Sequence, residues 1–155
     1  MSINDVVRKF LAVDIQVDGR GQVPAYAHPG DAGCDLCAAL DQPEKLWPGD
    51  IRAIPTGLRV AVPMGFEMQI RSRSGLSLRG IVVANAPGTI DAGFRGEVKV
   101  ILRNSGKTED GPFVIEPGMR IAQAVFAPVI QASFIVVDSQ DETSRGDGGF
   151  GSTGV

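Results

Sequence analysis

Asp91 stands between two apolar residues, Ile90 and Ala92, in the turn-rich run from Gly88 to Glu97. A carboxylate held in a partly apolar niche can take a proton from water as a general base. The plainer role for the same residue is an Asx-type turn. Upstream, Arg71-Ser72-Arg73-Ser74-Gly75 joins two guanidiniums, two hydroxyls and a glycine where a strand-like run ends. Amide groups at such a turn, with a hydroxyl and a guanidinium, form an anion site; an ordinary solvated turn would have the same composition. The segment Ser144–Val155 carries five glycines, with Arg145, Phe150, Ser152 and Thr153 spaced among them. Composition alone leaves open what a basic, glycine-rich tail with one ring is for.

These groups must be positioned by short elements. Proline and glycine recur every few residues, as at Pro29-Gly30, Pro48-Gly49, Pro87-Gly88 and Pro117-Gly118. Breakers at that interval leave little room for long helices and fit a β-sandwich or barrel. Alternation is clearest over Glu97–Arg103, where Val98, Val100 and Leu102 share one face and Glu97, Lys99 and Arg103 the other. Ile101 interrupts the polar face, so that face is expected to be partly buried. Further strands are expected at Ile51–Ile54, Leu58–Val62, Phe66–Arg71, Arg120–Ala127 and Phe134–Val137. The one expected helix is short, around Gly75–Gly80. One domain is expected for 155 residues, with mobile ends over the first dozen residues and after about Ser139.

Net charge is −3 and the isoelectric point about 5.1. A general nucleic-acid binder is expected to be basic, so the balance argues against that partner while allowing a small phosphorylated ligand. Eleven of the fifteen basic residues are arginine, a bias compatible with bidentate phosphate recognition. No apolar run approaches the roughly 18 residues of a membrane span, and Met1–Val13 lacks a signal-peptide pattern. The reading is a cytoplasmic protein with no membrane partner.

Several other signals carry less. Cys34-Asp35-Leu36-Cys37 is a C-x-x-C without the adjoining βαβ unit of a redox motif. Two cysteines and one histidine fall short of the four ligands of structural zinc. Two small buried thiols, on opposite faces of a strand, is the better expectation. Arg145-Gly146-Asp147 matches an adhesion tripeptide by accident, and His28 lies in a turn where no chemistry is expected. Trp47 is expected to cover an edge of the core.

Five motifs occur in order: Pro29-Gly-Asp-Ala-Gly-Cys-Asp-Leu36, Arg73-Ser-Gly-Leu76, Asn85-Ala-Pro-Gly-Thr-Ile-Asp-Ala-Gly-Phe-Arg-Gly-Glu97, Arg120-Ile-Ala-Gln123 and Arg145-Gly-Asp-Gly-Gly-Phe-Gly-Ser-Thr153. Together they closely resemble the homotrimeric dUTP pyrophosphatases (dUTPases). The resemblance implies an all-β, jelly-roll-like subunit and three active sites shared among three chains. It also implies hydrolysis of dUTP to dUMP and pyrophosphate with Mg²⁺. By that likeness, Asp91 matches the residue that orients and deprotonates the attacking water. Asp35 matches the carboxylate that holds a water of the magnesium shell. Arg73, Ser74, Gly75 and Gln123 match phosphate contacts. Asn85, Gly88, Thr89, Ile90 and Lys99 match a hairpin that reads uracil and deoxyribose, largely through backbone groups. The tail resembles a lid in which Phe150 stacks on uracil, while Arg145, Gly149, Ser152 and Thr153 close over phosphate.

Phe94 stands where the family usually has tyrosine beneath the deoxyribose. It also leans toward the dCTP deaminases, which share the fold. Those enzymes resemble one another in a catalytic glutamate that would fall at Ile101 here, and isoleucine cannot carry a proton. A non-catalytic nucleotide sensor on the same scaffold would be free to lose Asp91 or the lid residues, and this chain keeps them.

Overall fold

A computed structural model describes residues 10–149. Ten strands follow in order: β1 (Asp14–Val17), β2 (Gly33–Cys37), β3 (Glu44–Leu46), β4 (Ile51–Ala61), β5 (Phe66–Arg71), β6 (Ile81–Val83), β7 (Gly88–Ile90), β8 (Glu97–Asn104), β9 (Phe113–Ile115) and β10 (Arg120–Pro128). One helical turn, α1 (Ser74–Ser77), sits between β5 and β6. The strands form one sheet in the order β1-β4-β8-β6, a second in the order β2-β10-β5-β7, and a two-stranded ribbon β3-β9. Every pairing is antiparallel. This is the expected all-β, jelly-roll-like architecture.

Period-two patterning explains the layering. Ile54, Leu58 and Val60 of β4 are buried with Val98, Val100 and Leu102 of β8, and Leu36, Met68, Ile70, Ala122 and Ala124 of the other sheet join the same core cluster. Lys99 and Arg103 face outward as expected, and Ile101 is half-buried. The two runs expected at Ile51–Ile54 and Leu58–Val62 are one long strand, β4, whose pairing with β8 slips between Pro55 and Leu58. Proline has no N–H for the ladder, so a bulge is where a strand tolerates it. Gly57 completes that bulge at φ +67°, where a Cβ would also meet the Asp18 carboxylate and the Gly21 backbone. Only glycine fits such a position without strain.

Two buried polar side chains tie strands together. Thr56 Oγ1 donates to the Val98 carbonyl at 2.6 Å. Asn104 Nδ2 donates to the Leu46 carbonyl at 2.9 Å, and its Oδ1 accepts the Gly106 N–H at 2.9 Å. Asn104→Ala removes both partners at once and leaves interior groups unpaired. We expect a loss of about 2–4 kcal/mol, read as a lower urea midpoint with an unchanged slope.

Three expectations are corrected. Helix α1 spans Ser74–Ser77 rather than Gly75–Gly80, because Gly80 at φ +77° leaves the helical region. Phe134–Val137 forms no strand; its residues are 92%, 83%, 97% and 58% exposed. Strand propensity expresses packing against neighbours, and this segment pairs with none among the described residues. Trp47 is 53% exposed in a turn closed by the Asp50 N–H to Trp47 carbonyl bond, and neighbouring Leu46 is the core residue. Among the described residues no helix is long and apolar enough to cross a membrane.

Candidate active site

The first group of site residues lies along one row of the second sheet. Gln123 of β10 pairs with Asp35 of β2 on one side and Arg71 of β5 on the other. Beyond Arg71 the chain turns through Ser72 and Arg73 into α1. Gln123 Nε2 donates to the Ser72 carbonyl at 3.0 Å, and Ser72 Oγ accepts the Val83 N–H at 2.8 Å. A side chain at Gly33 would overlap Gln123 Oε1, so glycine leaves the amide room to lie flat. The amides of Leu76 and Ser77 bond the Arg73 carbonyl. Those of Ser74 and Gly75 precede the first bonded turn, as at any helix start.

Asp35 holds two guanidiniums, one on each oxygen. Arg73 Nε lies 2.9 Å from Oδ1, and Arg120 Nη1 lies 3.1 Å from Oδ2. Arg73 Nη1 also donates to the Arg120 carbonyl at 3.2 Å. Two cations share one carboxylate, which leaves a net positive cluster suited to an anion.

The second group sits where the chain crosses between sheets. It leaves β6 of the first sheet, passes a cis Ala86–Pro87 bond, enters β7 of the second, and returns to the first at β8. Gly88 lies opposite Ile70 of β5. Asn85 packs over Gly88, where a Cβ would approach Asn85 Nδ2 to 3.1 Å. Asp91 opens the corner, its carbonyl accepting the Phe94 N–H at 3.0 Å. Arg95 Nη1 closes it on the Ala92 and Phe94 carbonyls, both at 2.7 Å. The Phe94 ring lies over Gly96, where a Cβ would come within 2.6 Å of Cζ. Asn85, Thr89, Asp91 and Lys99 are exposed, and Ile90 is half-buried. Lys99 Nζ stands 3.7 Å from Glu97 Oε2.

The described residues do not supply the apolar niche expected around Asp91, which is exposed between half-buried Ile90 and Ala92. Among the described residues no hydrogen bond or ion pair joins Asp91 to the Asp35–Arg73–Gln123 group. Arg145 is likewise apart, its Nε bonded to the Gly148 carbonyl at 2.9 Å within its own turn. Gly149 is half-buried. Phe150, Ser152 and Thr153 lie outside the described residues. A cleft of about 930 Å³ is apolar, with Val13, Tyr26, Val60, Met68 and Phe126 among its walls, and holds neither group of site residues.

The sequence placed Ser72 in the anion turn and Arg120 in the fourth motif but gave neither the partners seen here. Ser72 acts through backbone partners that a sequence does not display. Arg120 is three residues from Gln123, which on a regular strand would put it on the opposite face.

Among the described residues no cluster of three or more histidine, cysteine or acidic side chains could hold a metal ion. Cys34 is buried, Cys37 half-buried, and both are free. Burial pushes both thiols up, with the Asp35 charge adding to the effect, and the arginines beside Cys37 only partly oppose it. Neutral thiols are poor nucleophiles and poor ligands, in keeping with the structural reading of the C-x-x-C.

A family model described as dUTPase matches residues 20–154. The chain belongs to the dUTPase family. The deoxyuridine 5'-triphosphate nucleotidohydrolase of Chlamydia pneumoniae is 51% identical over 147 residues, covering 94% of this chain and 99% of that protein. That of Roseobacter denitrificans is 57% identical over 134 residues, covering 85% and 86%. The dUTPase of Staphylococcus bacteriophage 80alpha with dUPNHPP superposes with a TM-score of 0.84 at 27% identity, over 93% of this chain and 99% of that one. The dUTPase likeness therefore spans both sheets and both groups of site residues.

Proposed function

We propose that this protein hydrolyses dUTP to dUMP and pyrophosphate, keeping uracil out of DNA and supplying dUMP for thymidylate synthesis. Asp91 takes a proton from a water that attacks the α-phosphorus, and the bond from that phosphorus to the bridging oxygen breaks as pyrophosphate leaves. The observation that carries the reading is the cationic cluster at the end of β5: Arg73 and Arg120 around Asp35, with Gln123 tied to Ser72 beside the open amides of Ser74 and Gly75. In this reading Arg73, Ser74, Gly75 and Gln123 hold phosphates. The Asn85–Ile90 turn and Lys99 read the base and sugar. A narrow turn with fixed donors and acceptors rejects a wrong hydrogen-bonding edge by roughly 10⁴-fold or more, whereas excluding a methyl alone gives about 10–200-fold.

A single carboxylate without a protein cage suits magnesium, which arrives on nucleotide phosphates and keeps most of its waters. Asp35 would hold such an ion through one of those waters. When bound, the ion neutralises charge on the triphosphate.

The site is completed by a homotrimer in this reading. Among the described residues Asp91 and the phosphate cluster are not bonded to one another, and Phe134–Val137 presents exposed apolar surface. A sibling chain supplies both needs. Arg145, Gly149, Phe150, Ser152 and Thr153 close over the bound nucleotide as a lid, and their glycines let the backbone approach phosphate and retreat.

The deciding experiment is pyrophosphate release from dUTP, dCTP, dTTP and UTP, with and without Mg²⁺, with ammonia assayed in parallel. Release confined to dUTP and dependent on Mg²⁺ is expected; ammonia from dCTP at useful turnover would replace this reading with deamination. Phe94→Tyr adds a hydroxyl to a ring already seated over Gly96. The Michaelis constant for dUTP is expected to change by less than about tenfold, the worth of one hydrogen bond. A hundredfold change would mean that the ring does more than pack.

A further inference from the structure

The pairing of β10 with β2 is irregular at one place. Gln123, Ala124 and Val125 oppose Asp35, Cys34 and Gly33, and Ala122 opposes Leu36, but Arg120 rather than Ile121 opposes Cys37. Ile121 is the extra residue of a β-bulge, and both it and Ala122 are buried. Opposed residues of a sheet share a face, and Cys37 shares a face with Asp35. The bulge therefore turns Arg120 onto the face of Asp35 and Gln123, to which strict alternation would deny it. Bulges re-aim side chains in this way beside functional sites.

Arg120 then makes two different contacts. Its guanidinium takes Asp35 Oδ2 at 3.1 Å, and its carbonyl takes Arg73 Nη1 at 3.2 Å. Arg73 takes the other oxygen, Oδ1, at 2.9 Å. If Arg73 is to face a phosphate, its own pair with Asp35 must loosen. That frees Oδ1, the oxygen that would meet a water of the magnesium shell, and leaves Asp35 with one cationic partner in place of two. With Arg120 still on Oδ2, the carboxylate remains compensated and fixed.

We propose that Arg120 is a positioning residue of the phosphate site, brought by the Ile121 bulge to hold Asp35 in place while Arg73 engages the nucleotide. This rests on the phosphate-site reading above. Arg120 acts through Asp35 and does not need to touch ligand.

The test is a double-mutant cycle on binding of the non-hydrolysable analogue dUPNHPP, measured by titration calorimetry in Mg²⁺. Arg120→Gln is expected to weaken binding about tenfold in the parent protein, the scale of one charge-assisted hydrogen bond. In an Asp35→Asn background the same change should cost less than about twofold, because the charge it compensates is gone. Arg120→Lys should recover part of the loss, since it restores charge without the planar fork. dUMP, which lacks the β- and γ-phosphates, should bind Arg120→Gln as it binds the parent. An equal loss in both backgrounds would overturn the proposal and make Arg120 a direct ligand contact or a general structural residue. Arg73→Gln separates the two levels. If it leaves analogue binding intact, the phosphate site is misplaced and the Arg120 role falls with it. If it weakens binding while the cycle is additive, only the Arg120 role is lost.

Discussion

Asp91→Asn should bind dUTP about as the parent does and turn it over roughly 10²–10⁴-fold more slowly, the usual worth of a positioned general base. Asparagine is nearly isosteric and keeps one carbonyl oxygen, so the corner from Asp91 to Gly96 should persist. That corner is closed by the Asp91 backbone carbonyl and by Arg95, not by the Asp91 carboxylate. The carboxylate accepts no hydrogen bond from the described residues, so removing its charge orphans nothing in the fold. Binding should therefore be spared and the effect confined to chemistry. Single-turnover measurements with analogue affinity measured alongside separate the two. Parental turnover in Asp91→Asn would remove the residue from the reaction.

Removing residues 144–155 should lower kcat/KM by about 10²-fold or more, the combined worth of the phosphate contact proposed for Arg145 and the stacking proposed for Phe150. Assembly and unfolding midpoint should be preserved. Of the described part of this segment, Arg145 and Gly146 bond only within their own turn, through the Gly148 carbonyl and Thr143. Among the described residues, 144–149 make no hydrogen bond to either sheet. A lid that closes expels water and strengthens the remaining arginine–phosphate interactions, which is why activity should suffer while stability does not. Loss of the oligomer in a sizing experiment would instead make the tail a structural element.

Much of the fold was legible because its long strands obey the period of two. β5 has the expected bounds, β8 has the expected faces, and β10 runs one residue past its expected end. The short strands β1, β3, β6, β7 and β9 had no such signature: over three or four residues, alternation cannot be told from chance. Phe134–Val137 shows the opposite error, in which strand-forming residues lack a neighbour to pair with. At the candidate site, motif order picked out Asp35, Arg73 and Gln123, and the fold brings those three together. Arg120 stands in the same motif as Gln123, but its contact with Asp35 could not be read, because a bulge reverses the facing that alternation implies. Nor could motif order disclose that Asp91 is exposed, because burial is set by segments distant in sequence and not by the adjacent residues.

The hydroxyl of Ser72 has a practical consequence. It captures the amide proton of Val83, a residue of β6 two positions before Asn85, while the Ser72 carbonyl anchors Gln123. The solvent-exchange rate of that one proton thus becomes a built-in gauge of loop integrity. Deuterium uptake at Val83 should slow when a polyphosphate rigidifies the neighbouring turn and stay at the resting rate with a bare nucleoside. A spectroscopist could then follow occupancy without any label on the substrate.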